Sequence, residues 1–293
     1  MKRTSTYLGP GLDIERSDLA SYEIRSNYVI EAKVDGMWCE LTVGDPARGI
    51  PHQLNSRDGT TDPISGSNLG DIHIQPIPLP PGSIIIGELE AATEWATEQA
   101  QKRGFRRLHL FDIYLIMGGF HLQNFAWKER YELLRSLLVD LKWWKDESRF
   151  TMVPLGTEKF ERFYDSAIEG GYEGVVLKPT ESLYRTTRSD RKTKEWARCK
   201  RIVTSDFVLC GIGSTPGGKY SGPKPTGLWG LYKNGVLTEV MQAAPPHDGL
   251  LQKENIGKLV VEFMGWARFN SGALRHAQAV RIRTDKTARM CTL

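Results

Sequence analysis

The amino-acid sequence predicts an α+β protein of two domains, with antiparallel sheets and flanking helices in residues 1–201 and a small β-barrel in residues 202–293. Three observations support this fold class. Apolar strand-like runs recur through the first part of the chain and end in charged residues, and segments with helical character separate them. The composition changes near Arg201, after which mainly short strand candidates follow.

The strand candidates of the first domain are short apolar runs, with glycine, proline or charged residues between them. We expect these runs to build the sheets of that domain. In chain order they are Tyr28–Lys33, Trp38–Val43, Leu54–Gly59 (a strand end entering a turn), Ser83–Glu90, Arg107–Ile116 and Tyr172–Lys178.

Four segments of the same domain have helical character. The clearest is Ala126–Leu141, in which apolar residues recur at intervals close to three and four and predict an amphipathic helix. A shorter helix is predicted over Phe160–Glu169, and a helical turn or two between Asp13 and Ile24. Ala91–Arg103 has helical composition.

The second domain reads as five short strands with one short helix near Leu250–Asn255, a pattern typical of a Greek-key barrel of the OB type. The segment Lys233-Asn-Gly235 is a hairpin signal between two of the strands. The strand candidates are Asp206–Ile212, Gly227–Tyr232, Val236–Ala243, Lys258–Trp266 and Ala279–Arg283.

Composition narrows the class of protein. The chain has 293 residues, of which 40% are hydrophobic and 25% charged, as in soluble globular proteins with a sizeable core. The first residues lack the apolar stretch of a secretory signal, and no apolar run reaches the length of a membrane span. We therefore expect a cytoplasmic protein without membrane contact. The four cysteines show no CxxC spacing, which favours reduced thiols over a zinc site.

Positive charge is unevenly distributed along a chain whose net charge is only +4. Residues 185–201 hold eight Lys or Arg against two acids, and residues 251–293 hold eight against three. Two basic clusters in a nearly neutral chain indicate contact with a polyanion.

The stretch around which the candidate site is organised is Tyr28–Gly36, a hydrophobic strand that ends in Lys33, Asp35 and Gly36. Burial and neighbouring cations favour the neutral, nucleophilic amine of a lysine, so Lys33 is the first candidate nucleophile. Gly36 allows a sharp turn or a close approach of the backbone to a ligand.

Other polar residues also follow the ends of apolar runs. Cations and donors of this kind suit the phosphates of a nucleoside triphosphate, an aromatic ring suits a purine, and one or two carboxylates suit Mg²⁺. The set is Lys33, Asp35, Ser56, Arg57, Glu88, Phe111, Asp112, Glu173, Arg188, Arg198 and Lys200.

In their order and spacing these residues resemble the motifs of the covalent nucleotidyltransferase superfamily, which comprises DNA ligases, RNA ligases and mRNA capping enzymes. The motif that Trp196-Ala-Arg-Cys-Lys200 resembles usually has lysine where this chain has Arg198, and arginine is not an equivalent point donor. Ser271–His276 resembles the approach to the last motif in ATP-dependent DNA ligases. The matching segments are Lys33-Val-Asp-Gly36, Ser56-Arg-Asp-Gly59, Gly87-Glu88, Leu110-Phe-Asp-Ile113, Glu173-Gly-Val-Val-Leu-Lys178, Trp196-Ala-Arg-Cys-Lys200 and Arg283-Thr-Asp-Lys286.

The resemblance implies a role for each matching residue. Lys33 would attack the α-phosphate of ATP and form a lysyl-AMP, with Asp35 orienting the site. Glu173 would hold a metal ion or steer the proton of the lysine, and Glu88, with Glu90 as its competitor, would contact the ribose or the metal. Nucleotide contacts are further implied for Glu31, Ala32 and Phe111, the last by stacking on adenine.

The resemblance also assigns the cations. Arg57, Arg198 and Lys200 would hold phosphates. Arg283, Asp285 and Lys286 would swing in to position the leaving group of ATP, with a hinge at Lys200–Val203. The basic run would contact DNA through Arg185, Arg188, Arg191 and Lys192.

The resemblance implies that the protein is a small ATP-dependent DNA ligase of bacterial or phage type, with an adenylation domain at 1–201 and an OB-fold domain at 202–293. It would use ATP and Mg²⁺ or Mn²⁺ to seal 3′-OH/5′-phosphate nicks in duplex DNA, as a monomer. Only 32 residues precede Lys33, so we expect the two domains to clamp the duplex themselves, with strong salt dependence.

Three alternatives share the same sequence features. An mRNA capping guanylyltransferase would use GTP and the 5′ end of RNA with the same Lys33 chemistry. An RNA ligase is disfavoured by the OB-like tail that carries Arg283–Lys286. A nucleic-acid-binding relative without activity is disfavoured by the intact set of Lys33, Glu173 and Lys200.

Overall fold

The computed structural model describes residues 11–56, 77–90, 107–116, 120–140, 150–184, 193–216, 222–266, 268–269 and 271–293. The chain forms two compact units, Met1–Lys200 and Arg201–Leu293. None of the helices in these residues has both the length and the apolar character that crossing a membrane requires.

The described part of the first unit contains ten strands and three α-helices. The helices are α1 (Leu19–Ile24), α2 (Trp127–Asp140) and α3 (Phe160–Glu169). The strands are β1 (Gly11–Ile14), β2 (Tyr28–Lys33), β3 (Gly36–Thr42), β4 (Gln53–Ser56), β5 (Ile84–Glu90), β6 (Leu108–Ile116), β7 (Phe120–His121), β8 (Phe150–Met152), β9 (Gly174–Pro179) and β10 (Thr193–Lys200).

These strands form two sheets. The first has the order β1-β10-β9-β2, with β1 parallel to β10 and the other pairs antiparallel. The second has the order β4-β3-β5-β6-β7, all antiparallel, and β8 pairs with β6 in parallel. Antiparallel pairing therefore dominates, as the predicted fold class requires.

Side-chain alternation gives β2 two different faces. Ile30 and Ala32 pack in a core with residues of α3, such as Phe160. Val29, Glu31 and Lys33 lie on the opposite face by the same alternation. That face borders a cluster formed by residues of both sheets and the segments around them, namely Ile84, Ile86, Trp127, Tyr184 and Trp196. The candidate polar residues thus project from a rigid, buried framework.

The second unit is a single antiparallel sheet in the order β13-β12-β11-β14-β15. Asn234 and Gly235, both with positive φ, join β12 to β13 in the predicted hairpin. Its core includes Phe207, Trp229 and Phe263. The strands are β11 (Val203–Thr215), β12 (Lys224–Lys233), β13 (Val236–Ala243), β14 (Val260–Gly265) and β15 (Gln278–Ile282).

Most predicted elements are confirmed, with boundaries moved by a few residues. The helix Phe160–Glu169 has its predicted bounds, and all five strands of the second unit are present. The helical turn or two predicted between Asp13 and Ile24 is confirmed by a 3₁₀ turn at Arg16–Asp18 and by the α-helix Leu19–Ile24, and β1 precedes them at Gly11–Ile14. The expected helix near Leu250 is two short 3₁₀ turns. Ala91–Arg103 lies outside the described residues.

Candidate active site

The backbone brings Glu173 to Lys33 at the ends of β2 and β9. The two strands are antiparallel, with Lys33 opposite Gly174, and the Glu173 N–H donates to the Lys33 carbonyl oxygen at 2.8 Å. Gly174 has φ +153°, and a Cβ there would lie 2.1 Å from the carbonyl oxygen of Cys199. Only glycine allows this close approach between β9 and β10.

Two lysines share the carboxylate of Glu173. Lys33 Nζ donates to Oε2 at 2.6 Å, and Lys200 Nζ lies 2.9 Å from Oε1. The exposed fractions of the three side chains are 19% for Lys33, 8% for Glu173 and 11% for Lys200. The structure therefore brings three predicted catalytic residues together, with both lysines in contact with Glu173, in a site that is mostly closed to water.

The electrostatics of the cluster keep Glu173 ionised. Burial by itself raises the pKa of a carboxyl group, but the charges and hydrogen bonds of Lys33 and Lys200 outweigh it and lower the pKa of Glu173. Burial lowers the pKa of Lys200, and the charges of Lys33 and Arg198 act in the same direction, while Glu173 opposes them. Glu173 can thus remain the hydrogen-bond acceptor that holds both ammonium groups.

Glu88, on β5, belongs to the same electrostatic cluster. Burial raises its pKa to about 7; Lys33 and Lys200 oppose that rise, whereas Glu173 and Asp35 reinforce it. The competing acid, Glu90, is engaged elsewhere. Its carboxylate accepts from the Arg107 N–H at 3.0 Å and pairs with His109 Nε2 at 3.0 Å. Of the two acids, Glu88 is therefore the one beside the lysines.

We expect the free energy of unfolding of the nucleotide-free protein to fall, relative to the variant Glu88→Gln, as pH rises from 5 to 8. A carboxyl group whose folded pKa is about 7 binds its proton more tightly in the folded state. The contribution of the Glu88 carboxyl group to the free energy of unfolding is complete below its unfolded pKa of about 4.5. It is lost as pH rises through 7, and the free energy falls by an amount on the order of 2–3 kcal/mol.

Urea unfolding of wild type, Glu88→Gln and the exposed control Glu169→Gln across this pH range measures the effect. The control should keep a constant difference from wild type. A constant difference for Glu88→Gln as well would contradict the pKa assigned to Glu88.

A buried ion pair that sequence reasoning missed lies beside the cluster. Lys178 Nζ is 2.5 Å from Glu31 Oε2, and the two side chains are 2% and 3% exposed. The ammonium also donates to the Phe111 carbonyl oxygen at 3.3 Å and lies 4.3 Å from the Trp196 ring centroid. Burial raises the pKa of Glu31 although Lys178 opposes it. Lys178 ends the segment Glu173–Lys178 that matches a family motif, and it joins two expected nucleotide contacts, Glu31 and Phe111.

Three other predicted residues have different surroundings from those of Lys33, Glu173 and Lys200. Ala32 packs its methyl group into the core on the opposite face of β2, and its N–H donates to the Pro154 carbonyl oxygen at 2.9 Å. Asp112 is fully buried and bound to Arg130. Arg198 is held by Asp13, which lies opposite it on β1. Its Nε and Nη2 donate to the two carboxylate oxygens of Asp13, the second at 3.1 Å.

The pair formed by Arg198 and Asp13 gives a structural reason for an arginine at a position where the resemblance leads us to expect lysine. A planar guanidinium binds a carboxylate through two parallel hydrogen bonds, which an ammonium cannot do. Five predicted cations, by contrast, lie outside the described residues. They are Arg57, Arg185, Arg188, Arg191 and Lys192.

The residues of the last motif lie together in the second unit. Arg283 donates from Nε and Nη2 to Asp285 at 2.8 and 2.7 Å, and from Nη1 to Asp206 at 3.0 Å. Lys286 Nζ also donates to Asp206. Asp206 was not among the predicted site residues.

The first-unit cluster has the chemistry that a nucleotide with a divalent cation requires. Two lysines can face phosphates, and Glu88 and Glu173 supply carboxylate oxygens. The described residues contain no group of three or more His, Cys, Asp or Glu arranged as metal ligands. The donor set thus suits Mg²⁺, which proteins commonly bind through one or two carboxylates together with phosphate oxygens and water.

Comparison with known proteins gives a domain match and a set of structures with the same fold. Residues 87–200 match the model of the ATP dependent DNA ligase domain. A comparison with curated protein sequences finds no match.

Solved structures share the fold along nearly the whole chain. A mycobacterial DNA ligase D complexed with ATP and MES is 18% identical, with TM-score 0.52 over 98% of each chain. The ligase domain of LigD from M. tuberculosis is 18% identical, with TM-score 0.51 over 98% of this chain and 99% of that one. A Lig E DNA ligase is 17% identical, with TM-score 0.58 over 94% of this chain and 99% of that one.

These likenesses confirm the α+β fold class, in which a nucleotidyltransferase domain with antiparallel sheets is followed by an OB-fold domain. The matched domain includes Glu88, Phe111, Glu173 and Lys200. Residues 87–200 thus match the ATP dependent DNA ligase domain, within a chain that shares its fold with solved DNA ligase structures.

Proposed function

We propose that this protein is an ATP-dependent DNA ligase, which seals nicks in duplex DNA that carry a 3′-OH and a 5′-phosphate through an adenylate on Lys33. One observation carries the proposal. The amine of Lys33 is held at 2.6 Å by a carboxylate that also binds Lys200, in a largely buried cluster. Such an arrangement fixes a nucleophilic amine beside a second cation that can face a phosphate.

In the first step, the ammonium of Lys33 gives up a proton, and the resulting amine attacks the α-phosphorus of ATP. A P–N bond forms, the P–O bond to pyrophosphate breaks, and the proton of the amine passes to solvent. Glu173 orients Nζ by accepting its hydrogen bond, and Lys200 offsets the charge that develops on the phosphate oxygens. Asp35 acts as an orienting group of the same site.

In the second step, an oxygen of the 5′-phosphate of DNA attacks the phosphorus of the adenylate. The P–N bond breaks, and Lys33 leaves as an amine and takes up a proton. In the third step the 3′-OH attacks the 5′-phosphorus, loses its proton and displaces AMP, so the new phosphodiester closes the nick. The P–N bond thus preserves the activation of ATP between the two substrates.

The other residues would serve binding. Glu88 and Glu173 would hold Mg²⁺ or Mn²⁺, which would offset the negative charge of the phosphates. Glu31 and Phe111 both contact the ammonium of Lys178, and we assign the adenine contacts to them. We assign phosphate contacts to Arg57, Arg198, Arg283 and Lys286, and DNA contacts to the basic residues at 185, 188, 191 and 192.

The proposal gives the two domains the bounds 1–201 for adenylation and 202–293 for the OB fold. Phosphate contacts by the basic run should make DNA binding salt-dependent. Action as a monomer in the cytoplasm remains a prediction from the sequence.

The test is incubation with Mg²⁺ and α-labelled ATP or GTP, followed by nicked duplex DNA. We expect label from ATP alone to appear on the protein and to be discharged as the nick is sealed. A matched duplex whose nick lacks the 5′-phosphate should leave the label in place, because it offers no phosphate oxygen to attack the adenylate.

Each other outcome points to a specific alternative. Label from GTP would indicate a capping guanylyltransferase. Label from ATP that nicked DNA cannot discharge would indicate an RNA substrate. Absence of label from either nucleotide would leave a nucleic-acid-binding protein without transferase activity.

A further inference from the structure

Asp206, on β11 of the second unit, connects the two cations of the Arg-x-Asp-Lys motif. Its carboxylate accepts from Arg283 Nη1 at 3.0 and 3.2 Å and also from Lys286 Nζ. The Asp206 side chain is 11% exposed. One nearly buried carboxylate, 77 residues before Arg283 in sequence, therefore holds both cations.

The strand register explains why cations gather at this place. Asp206 lies directly opposite Glu262 on β14, and Glu262 lies opposite Arg281 on β15. Like charges opposite each other on neighbouring strands repel. Arg281 Nε lies 2.5 Å from Glu262, and Arg283 Nη1 lies 3.0 Å from Asp206 and 4.0 Å from Glu262. The pair of acids is thus stabilised only with its cations in place.

The two motif cations are held in different ways. The guanidinium of Arg283 is clamped between Asp285 and Asp206 and is only 12% exposed. Lys286 is 33% exposed, and an ammonium has three N–H donors. Lys286 can therefore bind Asp206 and a phosphate oxygen at the same time, while Arg283 binds the carboxylates of Asp206 and Asp285.

We propose that Asp206 is a positioning residue for the adenylylation of Lys33. It holds Arg283 and Lys286 in the arrangement in which they act on the pyrophosphate leaving group. The inference rests on the proposed function and adds a carboxylate from outside the motif. Since sealing of a nick that is already adenylated releases no pyrophosphate, Asp206 should matter for the first step and not for the last.

The experiment compares wild type, Asp206→Asn, Asp206→Glu and the exposed control Asp248→Asn. Two rates are measured for each, the formation of labelled protein from ATP and the sealing of a chemically pre-adenylated nick without ATP. Asp206→Asn keeps the size of the side chain and removes its charge. We expect it to slow labelling by about 10- to 100-fold, as loss of a hydrogen bond to a charged group does. Sealing should stay within about 2-fold of wild type.

Asp206→Glu should recover part of the labelling rate because it restores the carboxylate, and Asp248→Asn should match wild type in both assays. Labelling by Asp206→Asn at or above the wild-type rate would overturn the inference. Equal losses in both assays would also overturn it, since they indicate a merely structural role. A wild-type protein that takes no label would instead refute the proposed function, so the two failures are distinguishable.

Discussion

Lys33→Ala is expected to lose the covalent nucleotide adduct, with labelling from α-labelled ATP reduced by at least about 10³-fold. No other lysine in the cluster can substitute for it, because Lys200 reaches the opposite oxygen of Glu173 and offers its amine from β10, a different strand. The measurement is the amount of label bound to protein after denaturing electrophoresis, at saturating ATP and Mg²⁺.

Lys33→Arg separates the nucleophile from its charge. A guanidinium keeps the positive charge beside Glu173 but stays protonated and cannot attack phosphorus. We therefore expect Lys33→Arg to be unlabelled while its thermal stability stays close to that of wild type. Lys128→Ala, on the exposed side of α2, is the matched control and should be labelled normally.

Both Lys33 variants should still seal a pre-adenylated nick, because that step uses no lysyl intermediate. Labelling of Lys33→Ala at the wild-type level would place the nucleophile on another residue and would contradict the mechanism proposed for this site.

The sequence singled out Lys33, Glu88, Glu173 and Lys200 through the family motifs that they match. It was not sufficient to show their contacts. Lys33 and Glu173 are 140 residues apart in sequence, and their distance of 2.6 Å depends on the register of β2 against β9. That register rests on a backbone approach at Gly174 that only the folded chain reveals.

Strand β10 shows why the pattern of apolar residues is an incomplete guide. Trp196, Arg198 and Lys200 alternate with Ala197 and Cys199, so one face of this strand is polar where the site lies and the other is core. In sequence the segment reads as part of a basic run. Its partner β1, only four residues long, was not among the predicted strands.

Charged residues in core positions were missed for a related reason. Lys178 lies in a strand of apolar residues, and Arg130 is four residues before Leu134 on a helix whose leucines face the core. Periodicity identifies the buried face but cannot supply the partner that makes a buried charge tolerable. The partner comes from another element of the fold, Glu31 of β2 for Lys178 and Asp112 of β6 for Arg130.

The Arg130–Asp112 pair is expected to give the largest stability effect in the first unit. Both side chains have no exposed surface, and Arg130 Nε and Nη2 bind the two oxygens of Asp112 at 2.7 and 3.0 Å. Arg130 Nη1 also donates to the carbonyl oxygens of Phe125 at 2.5 Å and Ser182 at 3.0 Å. One guanidinium thus ties α2 to β6 and to two loops.

Arg130→Met should lower the free energy of unfolding by about 3–5 kcal/mol, because it leaves a buried carboxylate without its counter-charge. The double variant Arg130→Met/Asp112→Leu should recover part of this loss, since it removes the unpaired charge. Recovery should be incomplete because the carbonyl oxygens of Phe125 and Ser182 still lose their donor.

Urea unfolding followed by tryptophan fluorescence measures these differences, with Arg135→Met as the control. Arg135 lies on the same helix, is 61% exposed and contacts only Glu132 among the ion pairs of the described residues, so its loss should cost less than about 1 kcal/mol. Equal costs for the two single variants would show that the buried pair does not stabilise the fold. A large loss of stability confined to Arg130→Met would instead show that Arg130 holds Asp112 in place. Because Asp112 is the neighbour of Phe111 on β6, this result would also predict weaker ATP binding by Arg130→Met.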